Sequence, residues 1–267
     1  MDRGTELLRW FDYWLKDIDN GIMDEPPIVY CVMDAPADSM VRWVHQWPPP
    51  EARPTTYYLG GGPSRSIDLV NDGRLSRSAS ERGSDSYQAD YTTTSGSRTR
   101  WMPGSPQYGD MVANDRKALT YTTEPLSRDI EIVGHPVLQL WIQCSADDID
   151  LFAYLEEVDA SGRSHYITEG CLRASHRNAS PASHKRLGLP YHRSFEQDVT
   201  RLSGEPVRLV FDLHPTAKRF KVGHRIRVAI TCADRDSHQH IQHDLAPTLT
   251  VLREARYRSH LVLPVIE

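Results

Sequence analysis

The sequence predicts a mainly β protein, an antiparallel jelly-roll β-sandwich that carries one amphipathic helix at its N-terminus. Val137–Cys144 alternates apolar and polar side chains with the two-residue period of a half-buried strand. Residues 226–232 repeat the same alternation. Strand patterns recur about every 8–12 residues between 119 and 177, separated by turn residues, which is typical of antiparallel sandwiches.

The first element is the helix. Leu7, Leu8, Phe11, Trp14 and Leu15 have the spacing of one helical face. The Asn-Gly pair at 20–21 is expected to supply the left-handed residue that ends the helix. Two interpretations of the aromatic face remain open at this point. It packs on the sandwich, or it packs against another domain, since an exposed aromatic patch marks an interface.

The next elements are short strands followed by a long polar region. Strands are predicted at 28–33, 41–44 and 55–59, the last of which is stopped by a Gly-Gly-Gly-Pro run. Residues 60–118 are rich in Ser, Arg, Asp and Gly, so we predict loops with a few short strands. Three aromatic residues are expected to anchor these loops, namely Tyr87, Tyr91 and Trp101.

The remaining strands follow in close succession, and no repeat or linker requires two independent domains. A hairpin turn is predicted at 159–162, where the sequence reads Asp-Ala-Ser-Gly. The predicted strands are 119–123, 130–132, 137–144, 150–158, 164–169, 207–213, 226–232, 248–252 and 260–265.

The composition narrows the class of protein. The 267 residues carry a formal net charge of -5, and this small acidic excess argues against nucleic acid or an anionic membrane as a partner. No stretch approaches the roughly 20 apolar residues of a membrane span. The four cysteines are scattered, and three of them lie in apolar strand patterns, where a buried thiol is expected. A reduced, cytoplasmic protein is therefore predicted.

A serine hydrolase site is not evident in the sequence. Such a site needs a serine on a tight turn, usually written G-x-S-x-G, with a histidine base and a carboxylate. No serine of this chain has glycines two residues away on each side. The α/β alternation that would carry the turn is also missing, so no catalytic residue is predicted.

A histidine cluster has the spacing of metal ligands. His238 and His240 would share one face of a strand, and His243 follows closely. Jelly-roll oxygenases and isomerases of the cupin type use a His-x-His pair, but they add a glutamate and a further histidine. Because the ligand set is incomplete, we predict solvated loop histidines and no bound metal or cofactor.

Two groups of carboxylates have residue types that could form a calcium site or a catalytic pair. Asp147, Asp148 and Asp150 offer oxygen ligands for calcium, but their spacing lacks the glycine and distal glutamate of an EF-hand loop. A turn that solvates its carboxylates is predicted instead. Glu156 and Glu157 are adjacent on a strand, so at most one of them faces any cleft, and they cannot form a glycosidase pair.

Several motifs together resemble a known family. The chain is similar to the C-terminal jelly-roll domain, galactose-binding-like in shape, of the X-Pro dipeptidyl-peptidase / cocaine esterase (CocE/NonD) serine hydrolases. The resemblance covers nearly the whole chain. It rests on LTYTTEPL at 119–126, DIEIVGH at 129–135, EEVDASGRS at 156–164, FDLHPTA at 211–217, FKVGHRIR at 220–227, SHLVLP at 259–264 and RWFDYWLK at 9–16.

This resemblance implies a division of the chain and a partner. Enzymes of the family carry an α/β-hydrolase domain with a Ser-Asp-His triad, a helical cap and this jelly roll. Residues 1–22 resemble the end of the hydrolase domain, and residues 23–267 resemble the jelly roll. The triad histidine of the family lies upstream of the RWFDYWLK-like helix, so none of the triad is expected here. The expected partner is an α/β-hydrolase catalytic domain or chain, and a homodimer through the helix face is also predicted.

Two alternatives from other functional classes stay open. The first is a stand-alone module that binds a carbohydrate or another small molecule through aromatic side chains. Its candidate platform consists of Trp43, Trp47, Tyr57, Tyr58 and Trp101. The second is a metal-dependent jelly-roll enzyme that uses the three histidines at 238, 240 and 243.

Overall fold

The computed structural model describes residues 2–69, 71–79, 83–184, 186–241 and 243–266. Two α-helices occur there, α1 (Arg3–Lys16) and the single turn α2 (Val112–Asp115), with 3₁₀ turns at Ala174–His176 and Glu196–Asp198. The strands are β1 (Ile28–Cys31), β2 (Val41–Val44), β3 (Arg53–Gly60), β4 (Asp72–Ser76), β5 (Ser84–Gln88), β6 (Leu119–Thr122), β7 (Ile130–Gly134), β8 (Val137–Cys144), β9 (Asp150–Val158), β10 (Ser164–Arg173), β11 (Val207–Asp212), β12 (Thr216–Phe220), β13 (Arg225–Thr231), β14 (Thr248–Leu252) and β15 (His260–Ile266).

The strands form one two-stranded sheet, β1–β2, and one thirteen-stranded hydrogen-bonded sheet. The long sheet runs β10-β9-β13-β6-β4-β3-β15-β8-β14-β5, and β11 pairs with β8 while β7 joins β12 to β15. All of these pairs are antiparallel except β4–β6. The prediction of a mainly β, antiparallel protein is therefore confirmed, and the jelly-roll and galactose-binding-like descriptions stay predictions.

The alternation of apolar and polar residues in β8 correctly predicted which of its side chains lie in the core. Leu138, Leu140 and Ile142 are buried, and the residues between them are only partly covered, as a half-buried strand requires. The prediction that β13 is also half-buried is wrong, because both of its faces are covered. Ala229, on the second face, packs with Met111 from the 60–118 region.

The described residues of the 60–118 region form β4, β5, α2 and loops, and two buried arginines hold these loops against the sheet. Arg227 donates to Thr122 Oγ1 at 3.0 Å, to Asp115 Oδ2 at 2.5 Å and to Ser66 Oγ at 2.9 Å. Arg253 donates to both oxygens of Asp85, at 2.6 and 2.9 Å. Hydrogen bonds to these guanidinium groups therefore fix loops that have few apolar residues of their own.

The aromatic anchors predicted for these loops differ from one another in burial. Tyr87 is buried in the main core. Tyr91 is partly buried and stacks on His240 with ring centroids 4.6 Å apart. Trp101 is 43% exposed and is joined to β10 through its Nε1, which donates to Glu169 Oε1 at 2.7 Å.

The two adjacent glutamates of β9 lie on opposite faces of the sheet, as predicted, and both are buried. Glu156 accepts a hydrogen bond from Ser164 Oγ at 2.7 Å and lies beside Asp115. Burial raises the pKa of Glu156 well above its usual value, and the charge of Asp115 adds to this. Glu157 instead accepts from Lys218 Nζ at 2.7 Å and faces His224 Nδ1 at 2.8 Å.

Candidate functional site

The helix α1 carries the most continuous apolar surface that the fold leaves uncovered. It begins after Asp2, whose carboxylate accepts from the backbone N–H groups of Gly4 and Thr5 at 3.4 and 3.1 Å. It ends at Lys16, because Asp17 adopts the left-handed conformation with φ 56°. The expectation that the Asn-Gly pair at 20–21 ends the helix is therefore wrong, since a carboxylate residue reaches the left-handed region four positions earlier.

No residue of α1 is buried. Leu8 is 58% exposed, Trp14 52% and Leu15 75%, although all three lie on the apolar face. The first interpretation of that face, packing on the sandwich, is therefore wrong. The exposed apolar side chains of the helix are Leu7, Leu8, Trp10, Phe11, Trp14 and Leu15.

The exposed apolar surface continues beyond α1 onto the two-stranded sheet. Ile18, Met23 and Val29 are exposed in the chain that leads from the helix to the end of β1. Val41 and Trp43 are exposed on β2. A cavity of about 500 Å³ lies between the two elements and is lined by Glu6, Arg9, Glu25, Pro26, Val41 and Trp43. We call the exposed apolar side chains of residues 7–43 the N-terminal apolar surface.

Local polar contacts fix α1 beside β2. Arg9 forms ion pairs with Glu6 at 3.1 Å, one helical turn away, and with Glu25 at 2.5 Å. Asn20 Nδ2 donates to the carbonyl oxygen of Arg9 at 2.8 Å. These contacts join the helix to the segment that follows it and leave its apolar face free.

The two-stranded sheet is in turn attached to the sandwich at β12. Met33 N donates to the carbonyl oxygen of Ala217 at 2.9 Å, and Arg219 N donates to that of Met33 at 2.9 Å. Val32 is fully buried and packs with Val133 of β7 and Ala217 of β12. Lys218 pairs with Asp34 and lowers the pKa of that carboxyl group. The N-terminal apolar surface thus has a defined position although no residue of the helix itself is buried.

None of the helices within the described ranges is both long and apolar enough to cross a bilayer. The longest, α1, has 14 residues, against the roughly 20 that a membrane span needs.

The five aromatic residues of the predicted sugar platform are dispersed. Trp43 is exposed on β2, whereas Trp47 packs edge-on against Tyr30. Tyr57 is buried in the core, and Tyr58 lies beside His260. Trp101 contacts two histidines on another part of the surface. The described residues therefore do not bring these rings together as one platform.

The predicted metal-ligand histidines contact aromatic rings rather than a common centre. His238 lies against Trp101 and Phe152, with centroid distances of 5.2 and 5.0 Å. Burial lowers the pKa of His238. His240 stacks on Tyr91. No three His, Cys, Asp or Glu side chains among the described residues are grouped as metal ligands. The prediction that the three histidines lie in a loop is confirmed. The prediction that they are solvated is wrong in part, because ring packing partly covers His238 and His240.

The prediction that the 147–150 turn solvates its carboxylates is also wrong for two of the three. Asp148 is 3% exposed and accepts from the backbone N–H groups of Ile149 and Ser175, each at 2.9 Å. Asp150 binds the guanidinium of Arg173 at 2.7 and 3.0 Å. These carboxylates organise loops, and their oxygens are already occupied.

The cysteines divide into two buried and two exposed residues. Cys144 and Cys232 are buried in the core, as strand patterns suggest, and burial raises the pKa of both thiols. Cys31 and Cys171 are exposed. All four are free thiols.

These observations define a mainly β domain whose described residues leave an apolar surface exposed at its N-terminal end. The family model for the X-Pro dipeptidyl-peptidase C-terminal non-catalytic domain matches residues 20–262. The chain belongs to this family and is a non-catalytic C-terminal domain of the CocE/NonD and X-Pro dipeptidyl-peptidase hydrolases. The resemblance seen in the sequence motifs is confirmed.

Relatives of known sequence are longer than this chain. A protein of Mycobacterium bovis that is named as a serine esterase is 40% identical over the whole chain, which covers 41% of that protein. The cocaine esterase of a Rhodococcus species is 26% identical over 97% of the chain and 45% of the esterase. The chain thus spans less than half the length of both relatives.

Solved structures support the same fold. A CocE/NonD family hydrolase from Staphylococcus aureus superimposes with a TM-score of 0.71 at 19% identity, over 98% of this chain and 45% of the hydrolase. An α-amino acid ester hydrolase gives a TM-score of 0.65 at 19% identity, over 97% of this chain and 44% of that enzyme. At this level of identity the likeness concerns the fold.

Proposed function

We propose that this domain completes a serine hydrolase of esters or amides by packing its N-terminal apolar surface against a catalytic α/β-hydrolase part. That part would carry the Ser-Asp-His triad, on the same chain or on a separate one. The observation that carries the proposal is that no residue of α1 is buried, so the described residues of the domain leave its apolar face exposed.

The size of the exposed apolar surface supports a protein partner. Fully burying one Leu or Phe side chain contributes about 1.5–3 kcal/mol. Four such side chains and two Trp side chains are exposed on α1 alone, and the surface continues onto β2. A contiguous apolar patch of this kind marks an interface in proteins that do not aggregate.

The comparisons support the division of the chain at residue 22. The family model begins at residue 20, after the end of α1, so the helix lies outside the C-terminal domain as the model defines it. The mycobacterial relative nevertheless matches the whole chain, helix included. Both facts fit a helix that belongs to the end of the hydrolase domain, followed by the sandwich in residues 23–267.

The first test asks whether catalysis needs a second part. The purified 267-residue chain would be treated with a fluorophosphonate serine probe and assayed with p-nitrophenyl acetate. We expect neither labelling nor turnover. Stoichiometric labelling of one serine would sink the proposal, because a triad would then lie inside the sandwich.

The second test asks where the partner binds. The part of the mycobacterial esterase that this chain does not match would be mixed with the chain, and complex formation and esterase activity would be measured. Leu8→Gln should weaken both, whereas Leu245→Gln should weaken neither, since Leu245 is an 85% exposed leucine outside the N-terminal apolar surface. Equal effects of the two substitutions would contradict the proposed location.

The same surface explains the predicted homodimer. In the absence of a catalytic part, α1 of one copy can cover α1 of another and remove both apolar faces from water. Sedimentation of the isolated chain should therefore show association that the catalytic part reverses. A monomer at all concentrations would contradict the dimer.

A further inference from the structure

The net charge of the chain is concentrated in the segment that carries the N-terminal apolar surface. Residues 1–44 contain nine Asp or Glu and four Lys or Arg, an excess of five negative charges. The other 223 residues contain 27 of each kind, so their formal charges cancel. The whole formal charge of -5 therefore belongs to one sixth of the chain, the part that contains α1, β1 and β2.

These carboxylates reach solvent beside the exposed apolar side chains. All nine acidic residues of the segment are exposed or partly exposed and carry their formal charge at pH 7. Asp17 and Asp19 flank Ile18, and Asp24 follows Met23, and both of these apolar residues are about half exposed. Within the described ranges, the three aspartates have no ion-pair partner. The N-terminal apolar surface is therefore bordered by uncompensated negative charge.

An excess negative charge is also present in the cavity between α1 and β2. Glu6 and Glu25 share a single cation there, the guanidinium of Arg9, which donates to both carboxylates. No other charged residue is among the six described residues that line the cavity, so one net negative charge remains. The lining also includes Trp43, whose indole is 44% exposed. An indole face attracts cations and packs against apolar methylene groups, so the cavity suits a Lys or Arg side chain.

The sign of this charge distinguishes between partners that could cover the surface. A second copy of the chain would bring five further negative charges to the same interface, and like charges oppose association. A partner with basic residues around an apolar centre would bury the same apolar side chains and also gain attraction between opposite charges. The surface is therefore complementary to a basic partner and only in part to a copy of itself.

We propose that the catalytic part presents a basic face to the N-terminal apolar surface. A Lys or Arg side chain of that part enters the cavity between α1 and β2, with its cation beside Glu6 and Glu25 and its methylene groups against Trp43. This inference rests on the proposed function, because it describes the partner that the proposed function requires. It adds the sign of the partner's charge, which apolar burial alone does not determine.

The salt dependence of association tests the sign of the charge. The full chain would be titrated with the part of the mycobacterial esterase that it does not match, at NaCl concentrations from about 50 to about 500 mM. We expect the affinity to fall about tenfold or more over this range, because salt screens the attraction between opposite charges. Self-association of the chain alone should not weaken over the same range, because salt then screens repulsion between two acidic surfaces.

A single substitution tests the cavity. Glu25→Gln leaves Glu6 and Arg9 there as a neutral pair, and it should weaken the complex about fivefold at low salt. The difference from the unaltered chain should disappear at high salt, where the lost charge is screened in any case. A helix that had merely moved would weaken the complex at both salt concentrations. Glu254→Gln is the matched control, because it removes the same charge from an exposed residue between β14 and β15 and should leave the affinity unchanged.

Three results would overturn the inference and leave the proposed function in place. They are a complex whose affinity does not fall with salt, equal effects of Glu25→Gln and Glu254→Gln, and a loss of affinity in Glu25→Gln that persists at high salt. Self-association that weakens with salt would contradict the repulsion between copies and would also count against the inference. If no complex forms at any salt concentration, the proposed function fails, and the inference fails with it.

Discussion

Helix α1 and strand β9 reverse the usual relation between polarity and burial. None of the 14 residues of α1 is buried, although its face carries Phe11 and Trp14. All nine residues of β9 are buried, although they include Glu156 and Glu157. Burial in this protein is therefore set by what surrounds an element, since β9 has neighbours on both faces within the chain, whereas the described residues leave the apolar face of α1 exposed.

The polar side chains of β9 tolerate burial because each has a partner. Glu156 lies beside Asp115 and accepts from Ser164, and Glu157 pairs with Lys218. A buried charge without such partners would cost several kcal/mol. The aromatic rings of α1 pack against one another, as in the Trp10–Trp14 pair with centroids 5.7 Å apart, and both of these residues remain about half exposed. The proposed packing of α1 against a catalytic part would account for this contrast.

The largest loss of stability is expected when the buried ion pair that holds the 60–118 loops is broken. Arg227→Met removes the guanidinium that binds Asp115 and leaves that carboxyl group buried without its cation. We expect a loss of about 3–5 kcal/mol in the free energy of unfolding, measured with urea. Arg208→Met, on the surface of β11, should stay within about 0.5 kcal/mol. Equal effects would show that the buried pair is not a structural anchor.

A single chemical change made in both elements tests the comparison directly. Leu155→Ala in β9 removes fully buried methyl groups and should cost about 3 kcal/mol. Leu15→Ala in α1 removes the same atoms from a side chain that is 75% exposed, so it should change stability by less than about 0.5 kcal/mol. Urea unfolding of both variants measures the difference. A comparable loss in Leu15→Ala would mean that α1 packs on the sandwich in solution.

Local sequence patterns predicted the elements of this fold better than their surroundings. The alternation of β8 assigned Leu138 and Leu140 to the core correctly. The same pattern in β13 suggested an exposed face, but distant residues cover it. Periodicity reports on the faces of one element and carries no information about segments that fold over it from elsewhere in the chain.

The same limit applies to the candidate site. The spacing of Leu7, Phe11 and Trp14 predicted a helix with one apolar face, which α1 has. It left open what covers that face. The extension of the apolar surface onto Val41 and Trp43 was missed, although alternation in β2 places both residues on one side of a strand.

The buried carboxyl groups of Glu156 and Asp115 are expected to make the stability of the fold depend on pH, with an effect of intermediate size. Burial holds the folded-state pKa of Glu156 above its unfolded value, so the folded protein binds this proton more tightly. The stability that the proton provides is complete below about pH 4.3 and is lost as the pH rises through the folded-state pKa. In Glu156→Gln the amide keeps a donor for Asp115 and has no proton to lose.

Urea unfolding at about pH 5, 7 and 9 would therefore show the variant gaining stability relative to the unaltered protein as the pH rises. Glu124→Gln is the matched control, because the side chain of Glu124 is largely exposed and should show no such trend. A difference between Glu156→Gln and the unaltered protein that does not vary with pH would mean that Glu156 is ionised throughout.

The smallest effect on stability is expected on the apolar face of α1 itself. Leu15 is 75% exposed in the fold, so Leu15→Gln changes the exposure of apolar surface little on unfolding and should alter stability by less than about 0.5 kcal/mol. The same variant should be the one that most reduces self-association in sedimentation, because burial of this face occurs between chains. Val222→Gln, which alters an exposed apolar residue of the β12–β13 turn, should change neither property. A large loss of stability with unchanged association would place the neighbours of α1 inside the chain, and the contrast with β9 would then disappear.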